Sequence, residues 1–382
     1  MSHIAIVGAG FSGAVLAQEL GKAGHQVDVF DERSHVAGNC HTLRDERTDV
    51  MVHAYGPHIF HTSNERVWDY VQQFGVFMPF VNRVKAITGG RVFSLPINLL
   101  TINQFAGQVF SPSQAQAYFE SIGEKGEAAP ENFEEQGLHL MGRAFYDAFF
   151  SGYTTKQWGM SPAALPASIL KRLPVRFNYD DNYYASKYQG IPRDGYTALV
   201  NQLLDVPGVT VHLNTRFHRS SAADYDHVFC SGPIDAWFGC DEGRLGYRTL
   251  DFVREDHEGD FQGNAVINYC DMTVPWTRIS EHKHFAPWEE HAQTVVFKEY
   301  SRLCDEGDIP YYPIRLVAEK SLLAQYVARA RQEPNVTFVG RLGTYRYIDM
   351  HITIAEALDV AERYAECHRT RKQMQAFVVE PL

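Results

Sequence analysis

The residues IAIVGAGFSG, at positions 4–13, decide the fold around which the rest of the chain is arranged. A short apolar run over residues 4–7 is typical of a parallel strand that is buried on both faces, and a helical pattern follows it. Gly8, Gly10 and Gly13 stand between the two. In such a turn the first glycine permits a tight bend, the second admits a pyrophosphate, and the third lets the helix pack on the strand. The stretch predicts a dinucleotide-binding βαβ unit.

A second predicted strand, residues 27–30, ends at Asp31, about 20 residues after the glycine motif. A carboxylate at that place can accept hydrogen bonds from both hydroxyls of a ribose. The helix that starts at Ser12 would present free amides and its positive dipole end to the phosphates. An ordinary glycine-rich turn is the alternative, and the co-occurrence of strand, helix, second strand and terminal acid argues against it.

The C-terminal part of the sequence favours FAD over NAD as the dinucleotide. A buried strand over residues 336–339 leads into Gly340-Arg341 and then to Asp349, as in folds where a late segment closes over a flavin. The sequence from Thr353 to Glu356 matches a capping box, which predicts a helix start just after Asp349-Met350. The dipole of that helix could stabilise negative charge on a reduced flavin ring. A capped surface helix with no ligand is the alternative.

Periodicity divides the remaining chain into helical and strand-forming parts. Residues 101–150 have a helical period, with a helix start at residues 111–114, whereas residues 83–88, 91–95, 261–268 and 294–300 have strand character. The predicted fold class is α/β, an FAD-binding Rossmann-like domain with an inserted helical bundle and an antiparallel sheet domain. The predicted boundaries are 1–82, 195–245 and 318–382 for the discontinuous FAD-binding domain, 99–170 for the helical insertion, and 83–98, 171–194 and 246–317 for the antiparallel sheet domain.

Composition excludes several functional classes. The net charge of the 382 residues is −11, which argues against a nucleic-acid partner because counterion release needs a basic surface. The six cysteines have no C-x-x-C spacing and predict reduced thiols in a cytoplasmic protein. The first residues lack a basic region followed by an apolar region, so we expect no signal peptide. No run of about 18 apolar residues occurs, so we expect no membrane span. His53, His58 and His61 have no partner at a known metal-ligand spacing, so we expect no metal.

Four arginines lie beside aromatic residues in apolar segments: Arg172, Arg248, Arg278 and Arg341. Each alone is more often a surface or salt-bridging residue. Four of them in an acidic chain favour a polyphosphate site, because the guanidinium fork fits phosphate oxygens. Paired tyrosines offer rings that can stack on a uracil or pack against a neighbour; they are Tyr183, Tyr184, Tyr311, Tyr312, Tyr345 and Tyr347.

Over nearly its whole length the chain resembles the bacterial UDP-galactopyranose mutase family. The stretches that carry the resemblance are GAGFSGAV (8–15), AYGPHIFHT (54–62), VNRVKA (81–86), VFSLPINL (92–99), GYTTKQWGM (152–160), LPASILKRLPVRFNYDDNYY (165–184), GRLGYRTLDF (243–252), KEYSR (298–302), DIPYYPIR (308–315) and FVGRLGTYRYIDM (338–350). The resemblance implies an isomerase of cell wall biosynthesis that interconverts UDP-galactopyranose and UDP-galactofuranose. It implies FAD, active in its reduced form, as a covalent nucleophile at the anomeric carbon. It also implies a homodimer.

The resemblance also implies roles for individual residues. The implied catalytic residues are Arg172 and Arg278, as clamps on the diphosphate, and His58. The implied FAD-binding residues are Gly8, Gly10, Ser12, Gly13, Asp31, Asn39, His58, Arg341, Asp349, Met350 and Thr353. The implied substrate-binding residues are Asn82, Phe149, Phe150, Thr154, Trp158, Arg172, Tyr183, Arg248, Asn268, Arg278, Glu299, Tyr312 and Tyr347. Arg172 would lie on a mobile loop that closes over the substrate.

Two other functions stay open on the sequence. A flavin-dependent amine oxidase or dehydrogenase on the same scaffold would turn over from oxidised FAD and need an oxidisable substrate. A non-catalytic sugar-nucleotide binder would have no need for a flavin, so the FAD motifs disfavour it.

Overall fold

The computed structural model describes residues 1–126, 128–172 and 175–382, and for residues 168, 171, 172, 317 and 318 it describes the backbone only. The strands are β1 (His3–Val7), β2 (Gln26–Phe30), β3 (Thr42–Arg44), β4 (Met51–His53), β5 (Phe60–Thr62), β6 (Phe77–Pro79), β7 (Lys85–Thr88), β8 (Arg91–Ser94), β9 (Tyr188–Pro192), β10 (Val209–His212), β11 (His227–Cys230), β12 (Tyr247–Glu258), β13 (Val266–Tyr269), β14 (Arg278–Glu281), β15 (Gln293–Leu303), β16 (Tyr312–Pro313) and β17 (Val336–Phe338). The α-helices are α1 (Phe11–Lys22), α2 (Glu65–Val71), α3 (Leu99–Ala106), α4 (Pro112–Ile122), α5 (Phe133–Tyr146), α6 (Gly152–Trp158), α7 (Gly195–Leu204), α8 (Ile234–Trp237), α9 (Val317–Ala330), α10 (Gly340–Gly343) and α11 (Met350–Thr370). A π-helical turn, Asp147–Ser151, joins α5 to α6.

A five-stranded sheet is built around the N-terminal strand, in the order β10-β2-β1-β11-β17. All four of its pairings are parallel. Helices α1 and α11 pack together on this sheet, and their apolar faces join one core with strands β1 and β2. This is the doubly wound arrangement that the glycine motif predicted, so the Rossmann-like part of the fold prediction is confirmed.

A seven-stranded sheet, in the order β16-β12-β15-β14-β13-β7-β8, forms the second layer of strands. Its pairings are antiparallel except for β13 with β7, which run parallel. The strand predicted over residues 261–268 is wrong in its first half, because β13 begins only at Val266. The Glu281 carboxylate accepts hydrogen bonds from the amides of Phe261, Gln262 and Gly263, and this ties residues 261–263 into a turn.

Helices α3 to α6 surround an aromatic core that also includes Ala86 and Phe93 of the seven-stranded sheet. The core includes Phe133, Leu138, Met141, Phe145 and Phe149, all of which are buried. The predicted start of α4 is confirmed, because Ser111 and Gln114 form a reciprocal capping box with Pro112 at the first helical position. The division of the chain into three domains at the stated boundaries stays a prediction.

The two smaller sheets, β3-β4 and β5-β9-β6, were not predicted. Their strands are mostly three residues long, too short for a period of two to be recognised. Within the described ranges none of the helices combines the length and apolar character that a bilayer crossing requires.

Several histidines are buried in the neutral form and make stability depend on pH, among them His53, His227 and His282. Burial lowers the pKa of His227 to about 4 and that of His282 to about 3, and it holds the pKa of His53 well below its ordinary value. In the unfolded chain each has a pKa of about 6.5. The unfolded state therefore binds more protons, and stability is complete above about pH 6.5 and falls as the pH drops below it.

We expect the free energy of unfolding to fall by about 1.4 kcal/mol per pH unit for each such histidine below pH 6. Denaturant unfolding at pH 7.5, 6.5 and 5.5 measures this slope. His282→Gln removes one titrating group, so the free energy of unfolding of this variant should fall by about 1.4 kcal/mol less per pH unit than that of the parent protein. Equal stability at pH 7.5 and pH 5.5 would contradict the neutral burial of these rings.

Candidate active site

The turn after β1 has the geometry of a dinucleotide cradle. Gly8 has a φ of +102°, and a Cβ there would lie 2.2 Å from the Ser231 Oγ. A Cβ at Gly13 would lie 1.9 Å from the Gly8 carbonyl oxygen, so α1 approaches the turn closely. A Cβ at Gly10 would meet only Gly38, at 3.9 Å. The first and third glycines are therefore required by the fold, whereas Gly10 borders open space in which a ligand can lie.

The start of α1 leaves amides free for an anion. Gly10 is the N-cap residue and provides no side-chain cap, and Ala14 donates to the Gly10 carbonyl at 2.9 Å. The amides that precede this first bond have no acceptor within the helix, and the dipole adds positive potential there. The Ser12 side chain is buried and turned to the backbone of Gly340, where a Cβ would lie 2.4 Å from its Oγ.

Asp31 lies beside the cradle at the end of β2. Its Oδ2 accepts from the Ala9 amide at 2.9 Å, and its Oδ1 accepts from the Arg33 amide at 2.9 Å. Each oxygen keeps a second lone pair, so the carboxylate both fixes the turn and remains able to accept from a ribose hydroxyl.

Arg33 was missed by the sequence reasoning. Its Nη2 donates to the Asn39 Oδ1 at 2.8 Å, and its guanidinium lies 4.8 Å from the centre of the Tyr55 ring. Its Nη1 is buried with no hydrogen-bond partner among the described residues. The Asn39 amide in turn donates to the Pro310 carbonyl at 3.3 Å. A buried cationic N–H without an acceptor fits a site for an anionic ligand.

His58 is held by the loop before β5. Its Nδ1 lies 2.9 Å from the Gly56 carbonyl oxygen, and its backbone amide donates to the His53 Nδ1 at 3.2 Å. Burial lowers the pKa of His58 to about 4, so the ring is neutral at pH 7. Because a carbonyl only accepts, Nδ1 carries the proton and Nε2 is left as an acceptor.

Arg341 hydrogen-bonds to the backbone before Asp349 and Met350, the later of the two segments predicted to bind FAD. Its Nε and Nη2 donate to the Ile348 carbonyl at 3.2 and 2.6 Å, and its Nη1 donates to the Tyr311 carbonyl at 3.2 Å. The guanidinium lies 5.0 Å from the centre of the Tyr347 ring. The side chain therefore holds the loop that leads to Asp349.

The predicted capping box at Thr353 is wrong, because α11 begins at Met350 with Asp349 as its N-cap residue. Thr353 lies inside the first turn, where its amide donates to the Asp349 carbonyl at 3.0 Å. The Glu356 side chain, expected to cap, instead forms an ion pair with Arg346. Asp349 makes no side-chain cap, so the first amides of α11 stay available to a ligand.

Among the side chains that the structure describes, two groups could hold a metal ion. His61, Asp349 and His351 place possible ligand atoms within 4.8 Å of one another, but they lie at the positive end of α11, which opposes a cation. Asp260, Glu281 and His284 form the second group, in which Glu281 is already engaged by three backbone amides.

An aromatic cleft opens between α5, α6 and the seven-stranded sheet. Six predicted substrate residues line it, namely Phe149, Phe150, Thr154, Trp158, Tyr183 and Asn268. Tyr153 and Gln157 also line it and were missed, although Gly152-Tyr-Thr-Thr-Lys-Gln-Trp158 was recognised as a motif. Among the described lining residues there is no carboxylate, so the cleft is an apolar slot with a few hydroxyl and amide groups.

Asn268, Arg278 and Glu299 form one row across the seven-stranded sheet. Asn268 pairs with Arg278, and Arg278 pairs with Glu299, on three adjacent strands. Directly paired residues point to the same face of a sheet, so the row is presented as a unit. Asn82 adjoins Tyr183 of the cleft, since its carbonyl accepts from the Tyr183 amide at 2.8 Å, and its own Oδ1 is buried without a partner in the described part of the chain.

The Arg278 Nε donates to the Glu299 Oε2 at 2.8 Å, and Glu299 is only 1% exposed. Burial alone would oppose the guanidinium charge, but the Glu299 carboxylate holds the pKa of Arg278 well above its ordinary value. No described residue bonds to the terminal nitrogens of Arg278, so its fork remains available to an anion. A Cβ at Gly56 would lie 3.7 Å from the Glu299 Oε2, so the pair adjoins the His58 loop.

Arg248 is 5% exposed and has no carboxylate partner among the described residues. Its Nε donates to the Gln157 carbonyl at 3.1 Å and to the Ser301 Oγ at 3.2 Å. Burial lowers the pKa of Arg248, which shows that its charge is poorly compensated. It pairs with Tyr312 across the sheet, and the Tyr312 ring lies 5.5 Å from the Tyr347 ring. Two guanidinium groups thus adjoin residues that line the cleft: that of Arg248, which is buried and donates to Gln157, and that of Arg278, which is partly buried on the strand beside Asn268. The Arg172 side chain lies outside the described residues.

The cradle geometry gives a matched pair of substitutions. Gly10→Ala should leave the stability of the apoprotein unchanged within about 0.5 kcal/mol, because the φ of −80° suits alanine and the Cβ has space. It should nevertheless abolish dinucleotide retention, because the methyl group occupies the ligand's space. Gly13→Ala should destabilise the apoprotein itself through its contact with the Gly8 carbonyl. Apoprotein melting and absorbance of the retained cofactor test both, and full retention by Gly10→Ala would contradict the cradle.

Comparison with known proteins identifies the family. A model of the UDP-galactopyranose mutase family matches residues 148–347, and a model of NAD(P)-binding Rossmann-like domains matches residues 6–74. A probable UDP-galactopyranose mutase of Klebsiella pneumoniae is 55% identical over 99% of this chain and 98% of its own length. A dTDP-fucopyranose mutase of Escherichia coli is 49% identical over 95% of this chain and 98% of its own length.

A solved structure agrees with the fold. The crystal structure of a reduced UDP-galactopyranose mutase, 14% identical, covers 96% of each chain with a TM-score of 0.74. At that identity the likeness shows a shared fold and no more. Identity of 55% over almost the whole chain, together with the family model, shows that this chain belongs to the UDP-galactopyranose mutase family, whose members are isomerases.

Proposed function

We propose that the chain interconverts UDP-galactopyranose and UDP-galactofuranose, with FAD in the glycine cradle. The observation that carries the proposal is the position of Arg278. Its ion pair with Glu299 adjoins the His58 loop, while its cross-strand partner Asn268 lines the aromatic cleft. Arg278 therefore lies between the His58 loop and the aromatic cleft. A guanidinium there can hold the diphosphate of a UDP-sugar whose uridine lies in the cleft and whose galactose lies toward the cofactor.

The residues of the first sheet fit FAD. The cradle leaves open space at Gly10, and the first amides of both α1 and α11 are available to negative groups. The unpartnered Nη1 of Arg33 would satisfy a further acceptor on the cofactor. Asp31 would accept from the ribose, and Asn39, His58, Arg341, Asp349 and Met350 would provide the other contacts to the cofactor. When bound in its reduced form, FAD would supply the nucleophile for the anomeric carbon.

The arginines would neutralise the leaving diphosphate. Arg278 can present two terminal nitrogens in its fixed plane, since Glu299 engages only its Nε. Arg248 brings a second, poorly compensated charge, and a phosphate oxygen would restore its balance. As the bond between UDP and the sugar breaks, the negative charge that develops on the diphosphate would thus be stabilised by hydrogen-bond donors that are already positioned. Such preorganised stabilisation is usually the largest contribution that a protein makes to a step of this kind. Arg172 stays a prediction as a third clamp.

The aromatic cleft would hold the uridine. Trp158, Tyr183 and the two phenylalanines offer stacking surfaces, and Thr154 and Asn268 offer hydrogen-bonding groups. Glu299 would act by orienting Arg278, because a carboxylate engaged in a buried ion pair is poorly placed to move a proton. A glycosidase needs two carboxylates about the anomeric carbon, and the described lining of the cleft offers none.

A conversion assay tests the proposal. The flavin-loaded protein is given UDP-galactofuranose after dithionite reduction, and in parallel in the oxidised state, and UDP-galactopyranose is followed by chromatography. We expect product from the reduced protein only. Peroxide release from oxidised protein with an amine or amino acid would indicate the oxidase alternative, and UDP binding without conversion in either state would indicate a mere binder.

The same assay with dTDP-fucopyranose distinguishes the two substrate classes that the relatives' names record. We expect a higher kcat/KM for the UDP-galactose pair. A higher value for the dTDP-fucose pair would overturn the proposed substrate while leaving the isomerase class intact.

Arg278→Ala should lower kcat/KM at least tenfold, because a charge-assisted contact to phosphate is lost. This variant also leaves the buried Glu299 carboxylate unpaired, which can destabilise the fold. Arg278→Lys keeps the charge and removes the planar fork, and it serves as the folded counterpart. We expect at least a tenfold loss from this variant too, with flavin content retained. Unchanged kinetics in Arg278→Lys and Arg172→Ala would remove the clamp assignment.

A further inference from the structure

Lys156 makes an arrangement that the proposed function does not use. Its Nζ donates to four backbone carbonyls, those of Tyr269 at 2.7 Å, Asp271 at 2.9 Å, Val274 at 3.0 Å and Trp276 at 2.9 Å. An ammonium has three protons, so four acceptors at these distances share them and form a closed nest around the charge. In the described part of the chain no carboxylate lies within 4 Å of this ammonium.

The four carbonyls belong to the hairpin that joins β13 to β14. Tyr269 is the last residue of β13, directly after Asn268, and Trp276 lies two residues before Arg278 at the start of β14. Asn268 and Arg278 are cross-strand partners on β13 and β14. The four hydrogen bonds from Lys156 therefore hold together the loop that directly connects these two residues. The ammonium therefore fixes the turn from which Arg278 is presented.

Lys156 itself belongs to α6, which forms the opposite wall of the aromatic cleft. Thr154, Gln157 and Trp158 of this helix line the cleft. The start of the helix meets the same hairpin, where a Cβ at Gly152 would lie 2.3 Å from the Cys270 carbonyl oxygen. Backbone contact at one end and the lysine nest at the other hold helix and hairpin at a fixed separation.

We propose that Lys156 is a positioning residue that fixes the distance between the aromatic cleft and the Arg278 guanidinium, so that the base and the diphosphate of one nucleotide are held together. The inference depends on the proposed function, because it assumes that Arg278 holds the diphosphate and the cleft holds the base. Without these four hydrogen bonds, we expect α6 still to pack and the cleft still to form. The hairpin between β13 and β14 would become less rigid, and the distance from the Arg278 guanidinium to the cleft would no longer be fixed.

The first test compares two ligands on the flavin-loaded protein. Lys156→Met keeps the aliphatic stem and removes the ammonium. Titration calorimetry should give a Kd for UDP at least tenfold higher than that of the parent protein, and a Kd for uridine changed less than twofold. Lys187→Met is the matched control, since Lys187 is an exposed lysine paired with Glu65, and it should change neither value.

The second test is a double-substitution cycle with Arg278→Lys. If Lys156 acts through Arg278, Lys156→Met should cost little further UDP affinity in the Arg278→Lys background. A merely structural role would give independent losses that multiply, or equal losses for UDP and uridine, and either result overturns the inference. Should Lys156→Met fail to retain flavin, Lys156→Arg, whose planar head cannot place its N–H groups among four converging carbonyls, is used in the same cycle with the same expectation.

Failure of the inference and failure of the proposed function give different results. A loss of UDP affinity in Arg278→Lys with none in Lys156→Met overturns the role of Lys156 alone. Unchanged UDP affinity in Arg278→Lys contradicts the diphosphate clamp, and the role of Lys156 is then overturned with it.

Discussion

The buried ion pair between Arg278 and Glu299 is the interaction on which the site depends. A carboxylate that is 1% exposed is tolerated only with a partner, and removing one member of such a pair typically costs about 3–5 kcal/mol. The pair is fixed by strand register, because Arg278 lies between Asn268 and Glu299 on adjacent strands. Among the described residues Arg278 uses only its Nε, for Glu299, so the ion pair holds the guanidinium firmly and leaves its two terminal nitrogens for a ligand.

The row of Asn268, Arg278 and Glu299 connects the loop that holds His58 with the aromatic cleft. At one end Glu299 adjoins the Gly56 turn that holds His58, and at the other end Asn268 lines the aromatic cleft. A protein with a net charge of −11 thus still places the Arg248 guanidinium in its interior and partly buries that of Arg278. Net charge describes the outer surface and its repulsion of polyanions such as nucleic acid, whereas binding of a small diphosphate depends on local, desolvated contacts.

The sequence allowed the parallel sheet to be predicted because its signals are local. Gly8, Gly10 and Gly13 stand within six residues of one another, and the strand and helix beside them have clear periods. The capping box at Thr353 failed for the opposite reason. Glu356 has the right spacing, but Arg346 provides a stronger, charged partner, and a tertiary contact of this kind overrides a local preference.

Other features had no local signal. A strand was expected to begin at Phe261, yet the Glu281 carboxylate, 20 residues away, accepts from the Phe261 amide, and β13 begins only at Val266. Lys156 lies in one of the motifs that carry the family resemblance, but the sequence predicted no role for it. Its hydrogen-bond partners lie more than 110 residues further along the chain. The residues that line the cleft were mostly found through family resemblance, because periodicity marks Phe149 and Phe150 as core and cannot separate a core ring from a stacking surface.

The position of bound UDP tests the central claim most directly. A crystal structure of the flavin-loaded protein with UDP should place oxygens of the diphosphate within hydrogen-bond distance of the terminal nitrogens of Arg278. The pyrimidine ring should lie in the cleft between α6 and Tyr183. A UDP whose base occupies the cleft while its phosphates make no contact with Arg278, or a UDP bound outside the cleft, would contradict the account.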